Sequence, residues 1–243
     1  MPNTYWAHGY DLADPWVNCG DHPQTALCPG CDTLSAEYSC LQQWYMGPGI
    51  HPRLKKPFGQ RLAASAMAGV YGAGGPVTGP TLAGCAVSGS TLTLAFNATL
   101  LAGSALAVAP YNASTPANSG LSVLVNATEG LPGSGKWVAL NVRSSSSSSS
   151  SVDVDLAPLQ GAAPSAVKYA WGKTGGPPDS AGDVWCCPAG TAPGLCTPGA
   201  CPILAATEAA PFGGHPANPF LALIQGGQCL CPLPQVCSAA VSE

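Results

Sequence analysis

The sequence predicts a chain of mixed α/β and β class. A strand–loop–helix piece that closes an α/β layer comes first, and a β-sandwich or jelly-roll-like unit follows. Three observations predict this. Phe58, Leu62, Ala66 and Val70 recur every four residues, which puts them on one face of a helix over 55–71. From about residue 80 the texture changes to short apolar or alternating runs parted by Gly, Ser, Asn and Pro, as in the strands of a sandwich. Finally, 243 residues with 46% apolar content suffice for one or two compact domains.

In chain order, residues 4–12 are rich in Tyr and Trp and read as a strand, stopped by Pro15. Residues 16–47 form a cysteine-bearing loop insertion, too long to stay ordered without staples or function. Gly49-Ile50-His51-Pro52-Arg53 then leads into the helix. Pro57 is tolerated in its first turn, and Gly72 with Gly74-Gly75-Pro76 ends it. Residues 1–76 are therefore the closing unit of an α/β domain rather than a whole one. On its own, this unit leaves apolar surface exposed for want of sheet neighbours.

Residues 77–228 make the β-sandwich. Its expected strands are 81–87, 90–96, 105–110, 121–126, 136–142, 152–157, 166–171 and 218–225. Ser144 to Ser151 is an unbroken serine run, expected to be a mobile loop. The Pro/Gly/Cys-rich segment 172–217 is expected to be irregular, and 229–243 to be a cysteine-containing tail.

Charge narrows the partners. Charged residues are only 8% of the chain and the net charge is −4. No basic stripe exists to neutralise phosphates, which argues against nucleic acid. No run of 18 strongly apolar residues exists, so no membrane span is predicted. The sequence does not set an oligomeric state.

The 12 cysteines cluster as Cys19, Cys28, Cys31, Cys40; Cys186, Cys187, Cys196, Cys201; and Cys229, Cys231, Cys237, with Cys85 apart. Three glycosylation sequons begin at Asn97, Asn112 and Asn126. Together these predict a disulfide-bonded glycoprotein of the secretory pathway, extracellular or lysosomal/vacuolar. The first eight cysteines named are the disulfide candidates. Met1-Pro2-Asn3-Thr4-Tyr5-Trp6 has neither a basic nor an apolar leader region, so the chain is read as a piece of a longer secreted protein.

Other patterns carry less. Cys28-Pro29-Gly30-Cys31 between Cys19 and Cys40 offers four thiolates to zinc, but only one pair has close spacing and disulfides are the favoured use, so no metal site is expected. Gly130 to Lys136 nearly spells a phosphate-binding loop. Trp137 stands where a Ser or Thr would hold magnesium and a strand follows, so the segment reads as a hairpin turn and no cofactor is expected. Trp6, Trp16, Trp44, Trp137, Trp171 and Trp185 are either sugar-stacking faces or ordinary buried rings. His8, His22 and His215 have no recognisable partners.

The segment around His51 carries a resemblance. Tyr10-Asp11-Leu12-Ala13-Asp14-Pro15, Gly49 to Lys56, Gly59-Gln60-Arg61-Leu62-Ala63 and Val70-Tyr71-Gly72 resemble the sialate O-acetylesterase family of SGNH (GDSL-like) carbohydrate esterases. Val167-Lys168-Tyr169-Ala170-Trp171 looks like that family's Arg-Tyr-Ala-Trp strand, with Lys168 for the Arg. Cys201-Pro202-Ile203-Leu204 and Ala217-Asn218-Pro219-Phe220 look like its closing segment.

The resemblance implies that 1–76 is the C-terminal remnant of an SGNH-type α/β/α hydrolase domain. It also implies that His51 is a general base, moving a proton from a serine hydroxyl to the departing sugar oxygen. Gly49 and Pro48 occupy the places where relatives carry an orienting acid. Asp14 or Asp11 can substitute, or a Ser–His dyad can act alone. The same two aspartates also fit plain turn-forming roles at a strand end.

No segment matches the family's nucleophile. Ser65 lies inside the helix and Ser144 to Ser151 are not preorganised, so the chain alone is expected to be inactive. The implied partner is an O-acetylated sugar, sialic acid or a related glycan. Two alternatives stand beside it: an acetyl-polysaccharide esterase, and a non-catalytic secreted glycan-binding or structural β-sandwich module.

Overall fold

The computed structural model describes residues 55–111, 113–114, 116–126, 135–145, 148–170, 201–206 and 215–231. The expected strand at 4–12, the loop at 16–47, the tail beyond 231 and most of 172–217 lie outside the described residues.

Helix α1 (Lys55–Tyr71) spans the predicted length. Gly72 turns left-handed at φ 66, and the Ala73 N–H returns to the Met67 carbonyl at 3.1 Å. Orphan carbonyls at a helix end are satisfied in this way. The apolar stripe is only half covered. Phe58 is 37%, Leu62 41% and Val70 58% exposed, while Arg61 (4%) and Ser65 (0%) are buried. The buried face of the helix is therefore the one beside its stripe.

Among the described residues, twelve strands follow. They are β1 (Leu82–Ser88), β2 (Thr91–Phe96), β3 (Ala105–Val108), β4 (Leu121–Val125), β5 (Lys136–Ala139) and β6 (Val142–Ser144), then β7 (Ser151–Asp155), β8 (Pro164–Tyr169), β9 (Ile203–Ala206), β10 (His215–Pro216), β11 (Phe220–Gln225) and β12 (Gln228–Leu230). A one-turn helix α2 (Ala98–Leu101) joins β2 to β3. The fold class is thus mixed, one long helix followed by an antiparallel β unit. Nine strands form one sheet in the order β5-β4-β8-β11-β12-β1-β2-β7-β6, and β10-β9-β3 form a second.

The large sheet curls around one core. Leu92, Leu94 and Phe96 of β2 and Val152 and Val154 of β7 share a buried cluster with Val123 of β4, Tyr169 of β8 and Phe220 of β11. Phe96 meets Phe220 edge-on at 6.2 Å, and Tyr169 stacks on Phe220 at 5.7 Å. These rings come from opposite limbs of the sheet, so the sheet folds over itself as a sandwich. The Ile203 N–H donates to the Tyr169 hydroxyl at 3.1 Å, which fixes the small sheet against the core.

Sequence runs and strands agree except where the chain changes limb. The expected strand 136–142 divides into β5 and β6. β5 pairs with β4 and β6 with β7, so the two edges of the large sheet are neighbours in sequence. Leu140 turns the corner: its N–H donates to the Leu121 carbonyl at 3.2 Å and its carbonyl accepts from Ser119 Oγ at 2.6 Å.

The serine run joins two strands, as expected, and its ends are built into them. Ser144 ends β6 and Ser151 begins β7. Ser148 Oγ accepts from the Ser150 N–H at 3.1 Å. Backbone N–H groups of Phe96 and Leu106 donate to the Ser150 and Ser149 carbonyls at 2.8 and 3.0 Å. Short hydroxyl side chains close local turns in this manner, and here the turn also caps β2 and β3.

The segment expected to be irregular holds β9 and β10, and the sheet runs past residue 228 because β12 occupies Gln228–Leu230. β12 had a readable signal. Gln225 and Gln228 pair across Gly226 and Gly227, both at positive φ (58 and 76). A two-residue glycine turn of this kind specifies a hairpin.

Candidate functional site

His51, Asp11 and Asp14 lie outside the described residues. The described part of the region begins at α1, four residues after His51 in the sequence. Ser65 is wholly buried, and its Oγ donates to the Arg61 carbonyl one turn back at 3.1 Å. A hydroxyl in that back-bond inside a helix is not presented to a substrate. The expectation that Ser65 is no nucleophile agrees with this geometry. In the serine run, the hydroxyls of Ser148, Ser150 and Ser151 are engaged in hydrogen bonds within the turn.

Two motif residues of the resemblance do fall together in the fold. Val167-Lys168-Tyr169-Ala170 lies on β8 and its end, and Phe220 begins β11 beside it. The ladder pairs Phe220 with Tyr169 and Leu221 with Lys168. Alternation sends Tyr169 into the main core and Lys168 to the other face. There Lys168 is 1% exposed, with Nζ 4.7 Å from the Trp137 ring centroid. The negative face of an indole favours a cation so placed. Trp137 is itself 6% exposed, which assigns it to packing rather than to an open stacking platform. Trp6, Trp16, Trp44, Trp171 and Trp185 lie outside the described residues.

A polar clasp holds the segment that leads from α1 into the sandwich. Thr78 Oγ1 donates to Asn218 Oδ1 at 3.2 Å, and Asn218 Nδ2 donates to Thr81 Oγ1 at 2.8 Å. The Asn218 N–H donates to the Pro80 carbonyl at 2.8 Å. A Cβ on Gly79 would collide with the Pro216 carbonyl oxygen, so only glycine permits this approach. The resemblance picks out Asn218, but nothing in the sequence spacing says that it clasps residues 140 positions away. His215, in β10, is 3% exposed and pairs with Ala205 in the small sheet.

All four described cysteines are in disulfides: Cys85 with Cys229, and Cys201 and Cys231 as well. Cys85, which stands apart in the sequence, thus finds its partner across the sheet, 4.9 Å away between Cα atoms. The remaining candidates, Cys19, Cys28, Cys31, Cys40, Cys186, Cys187 and Cys196, lie outside the described residues.

Of the sequon asparagines, Asn126 is exposed and left-handed at φ 57, and Asn97 caps α2. Asn112 lies outside the described residues. Burial raises the Tyr111 hydroxyl above its ordinary value, against a smaller lowering by its hydrogen bond with Val142. Among the described residues no cluster of three or more His, Cys, Asp or Glu is placed to hold a metal ion. Nor is any described helix long and apolar enough to cross a membrane.

No family model matches the chain, and no curated protein does. Among solved structures the chain is similar to a carbohydrate acetylesterase from Xanthomonas citri. The TM-score is 0.41 and the identity 22%, over 72% of this chain and 29% of that one. The chain therefore spans less than a third of that protein's length.

Proposed function

We propose that this chain is the C-terminal part of a carbohydrate O-acetylesterase that acts on sialic acid or a related acetylated sugar. The observation that carries the reading is the ordered set of strings from Tyr10 to Phe220, centred on Gly49-Ile50-His51-Pro52-Arg53. Lys168-Tyr169 lies on β8, and Asn218-Pro219 leads into β11, which pairs with β8 through Phe220 and Tyr169.

In this reading His51 removes the proton from a serine hydroxyl as the oxygen attacks the acetyl carbonyl. The C–O bond to the sugar breaks as His51 returns that proton to the leaving oxygen. Water then releases acetate by the same route. Asp14 or Asp11 orients the imidazole. In this reading the serine is supplied from outside this chain, and the chain alone is inactive. The disulfides at Cys85, Cys201, Cys229 and Cys231 support assembly in the secretory pathway, since such bonds persist in oxidising compartments.

The test is acetate release by the full product of the locus, with an aryl acetate and O-acetylated sialic acid as substrates. Replacing His51 with Ala should lower the rate by about 100-fold or more, the usual contribution of a positioned general base. An unchanged rate would remove His51 from the mechanism. A locus that encodes no serine segment upstream would remove the enzyme reading and leave a secreted β module.

A further inference from the structure

We propose that Asn97 carries an N-linked glycan through Nδ2 while its Oδ1 remains the cap of helix α2. Asn97-Ala98-Thr99 is an acceptor sequon lying entirely within described structure. Asn97 precedes α2 in an extended conformation, φ −65 and ψ 104. Its Oδ1 accepts from the Thr99 N–H at 3.0 Å and the Leu100 N–H at 3.2 Å. This is the ordinary work of an N-cap asparagine, which satisfies amide donors that have no partner within the helix.

The two halves of the side-chain amide do different jobs. A sugar attaches to nitrogen, so the carbonyl oxygen and one N–H survive the modification unchanged. The cap therefore does not compete with the glycan. Ala98 and Thr99 are exposed and Asn97 is half-buried, so the sequon lies at the surface, where bulky sugars are carried. The Asn97 backbone N–H is held by the Thr81 carbonyl at 2.9 Å, so the attachment point is fixed on the end of β2 rather than on a free loop.

The inference rests on the secretory reading given above. The experiment secretes the full chain from a eukaryotic host and maps the Asn97 peptide by mass spectrometry. An N-glycosidase is applied in heavy-oxygen water, so each formerly glycosylated asparagine is marked as aspartate. The expected result is a marked Asn97 in most molecules. Thr99→Ser should keep the mark, because serine serves the sequon equally in kind. Thr99→Ala should abolish it while leaving the Asn97 cap intact. Asn97→Asp should abolish it while melting at the temperature of the unglycosylated Thr99→Ala chain, because aspartate also caps. A secreted, disulfide-bonded chain with an unmarked Asn97 overturns the glycan alone. Free thiols at Cys85 and Cys229 in protein isolated from its source cells overturn the secretory reading beneath it.

Discussion

The two limbs of the large sheet bury themselves differently. In β2 the pattern alternates: Leu92, Leu94 and Phe96 are buried, whereas Thr91 and Thr93 are half-buried and Ala95 is exposed. One face meets the core and the other meets solvent, as in most antiparallel sheets. In β4 all five residues, Leu121 to Val125, are buried. Its second face forms its own cluster, in which Leu124 packs with Trp137 of β5, Ala166 of β8 and Leu221 of β11. Lys168 is buried on that same face, over Trp137. The limb of β5, β4, β8 and β11 therefore has a covered outer surface, and the limb of β1, β2, β7 and β6 has an open one. Strand composition alone does not make this difference. Thr93 hydrogen-bonds Asp153 at 2.8 Å on the open face, whereas Ser122, equally polar, is wholly buried on the covered one.

The join between the limbs gives the largest expected effect. β1 and β12 share a single register pair, Ala86 with Gln228, and the Val87 N–H donates to the Gly227 carbonyl at 2.7 Å. Cys85 and Cys229 bridge the adjacent position and close a loop of 144 residues. Replacing both with Ala should cost about 5 kcal/mol on the chain-entropy account. Chemical denaturation without reductant checks this, and a loss below about 1 kcal/mol would mean that the short ladder holds the limbs together unaided.

The limbs themselves are compared by one substitution on the outer face of each. Leu124→Ala on the covered face should cost about 3 kcal/mol, as for other buried leucines. Thr93→Ala on the open face loses one part-exposed hydrogen bond and should cost about 0.5–1 kcal/mol. Equal losses in parallel denaturation curves would erase the distinction between covered and open faces.

The last comparison concerns the corner between the limbs, where the effect read is a change of slope with pH. Tyr111 donates to the Val142 carbonyl at 2.9 Å and accepts from the Val142 N–H at 2.8 Å. Burial raises its hydroxyl above the ordinary 10.0. A raised folded-state value means that the neutral form is the one stabilised. Its contribution is present in full below pH 10 and is lost as the pH rises through the folded value. Denaturation midpoints measured between pH 9 and 11.5 should fall for the native chain. Tyr111→Phe should start about 1 kcal/mol lower and fall less steeply. Parallel slopes would mean that Tyr111 does not titrate differently in the folded state.

Much of the sandwich was legible in the sequence because its strands lie one after another with clear turns. The runs at 81–87, 90–96, 121–126 and 218–225 fall on β1, β2, β4 and β11, and the helix on 55–71. What escaped were strands too short or too proline-rich to show a period. β10 is only His215–Pro216, and β9 lies beside a cysteine-rich stretch. β12 announced itself through Gly226-Gly227, a signal outweighed by the cysteines after it. The candidate site was read from the string around His51, and the structure adds the clasp of Asn218 on Thr78, Thr81 and Pro80.

By itself the sequence determined the local features: where the helix starts and stops, where strands alternate, and which turns need glycine. These depend on backbone preference and on periods of two and 3.6 residues, which neighbouring side chains set. Only the tertiary structure decided which face of α1 is buried, which limb of the sheet is covered on both sides, and that Cys85 pairs with Cys229. Those outcomes depend on residues far apart in the chain meeting in space, and no local period encodes such a meeting.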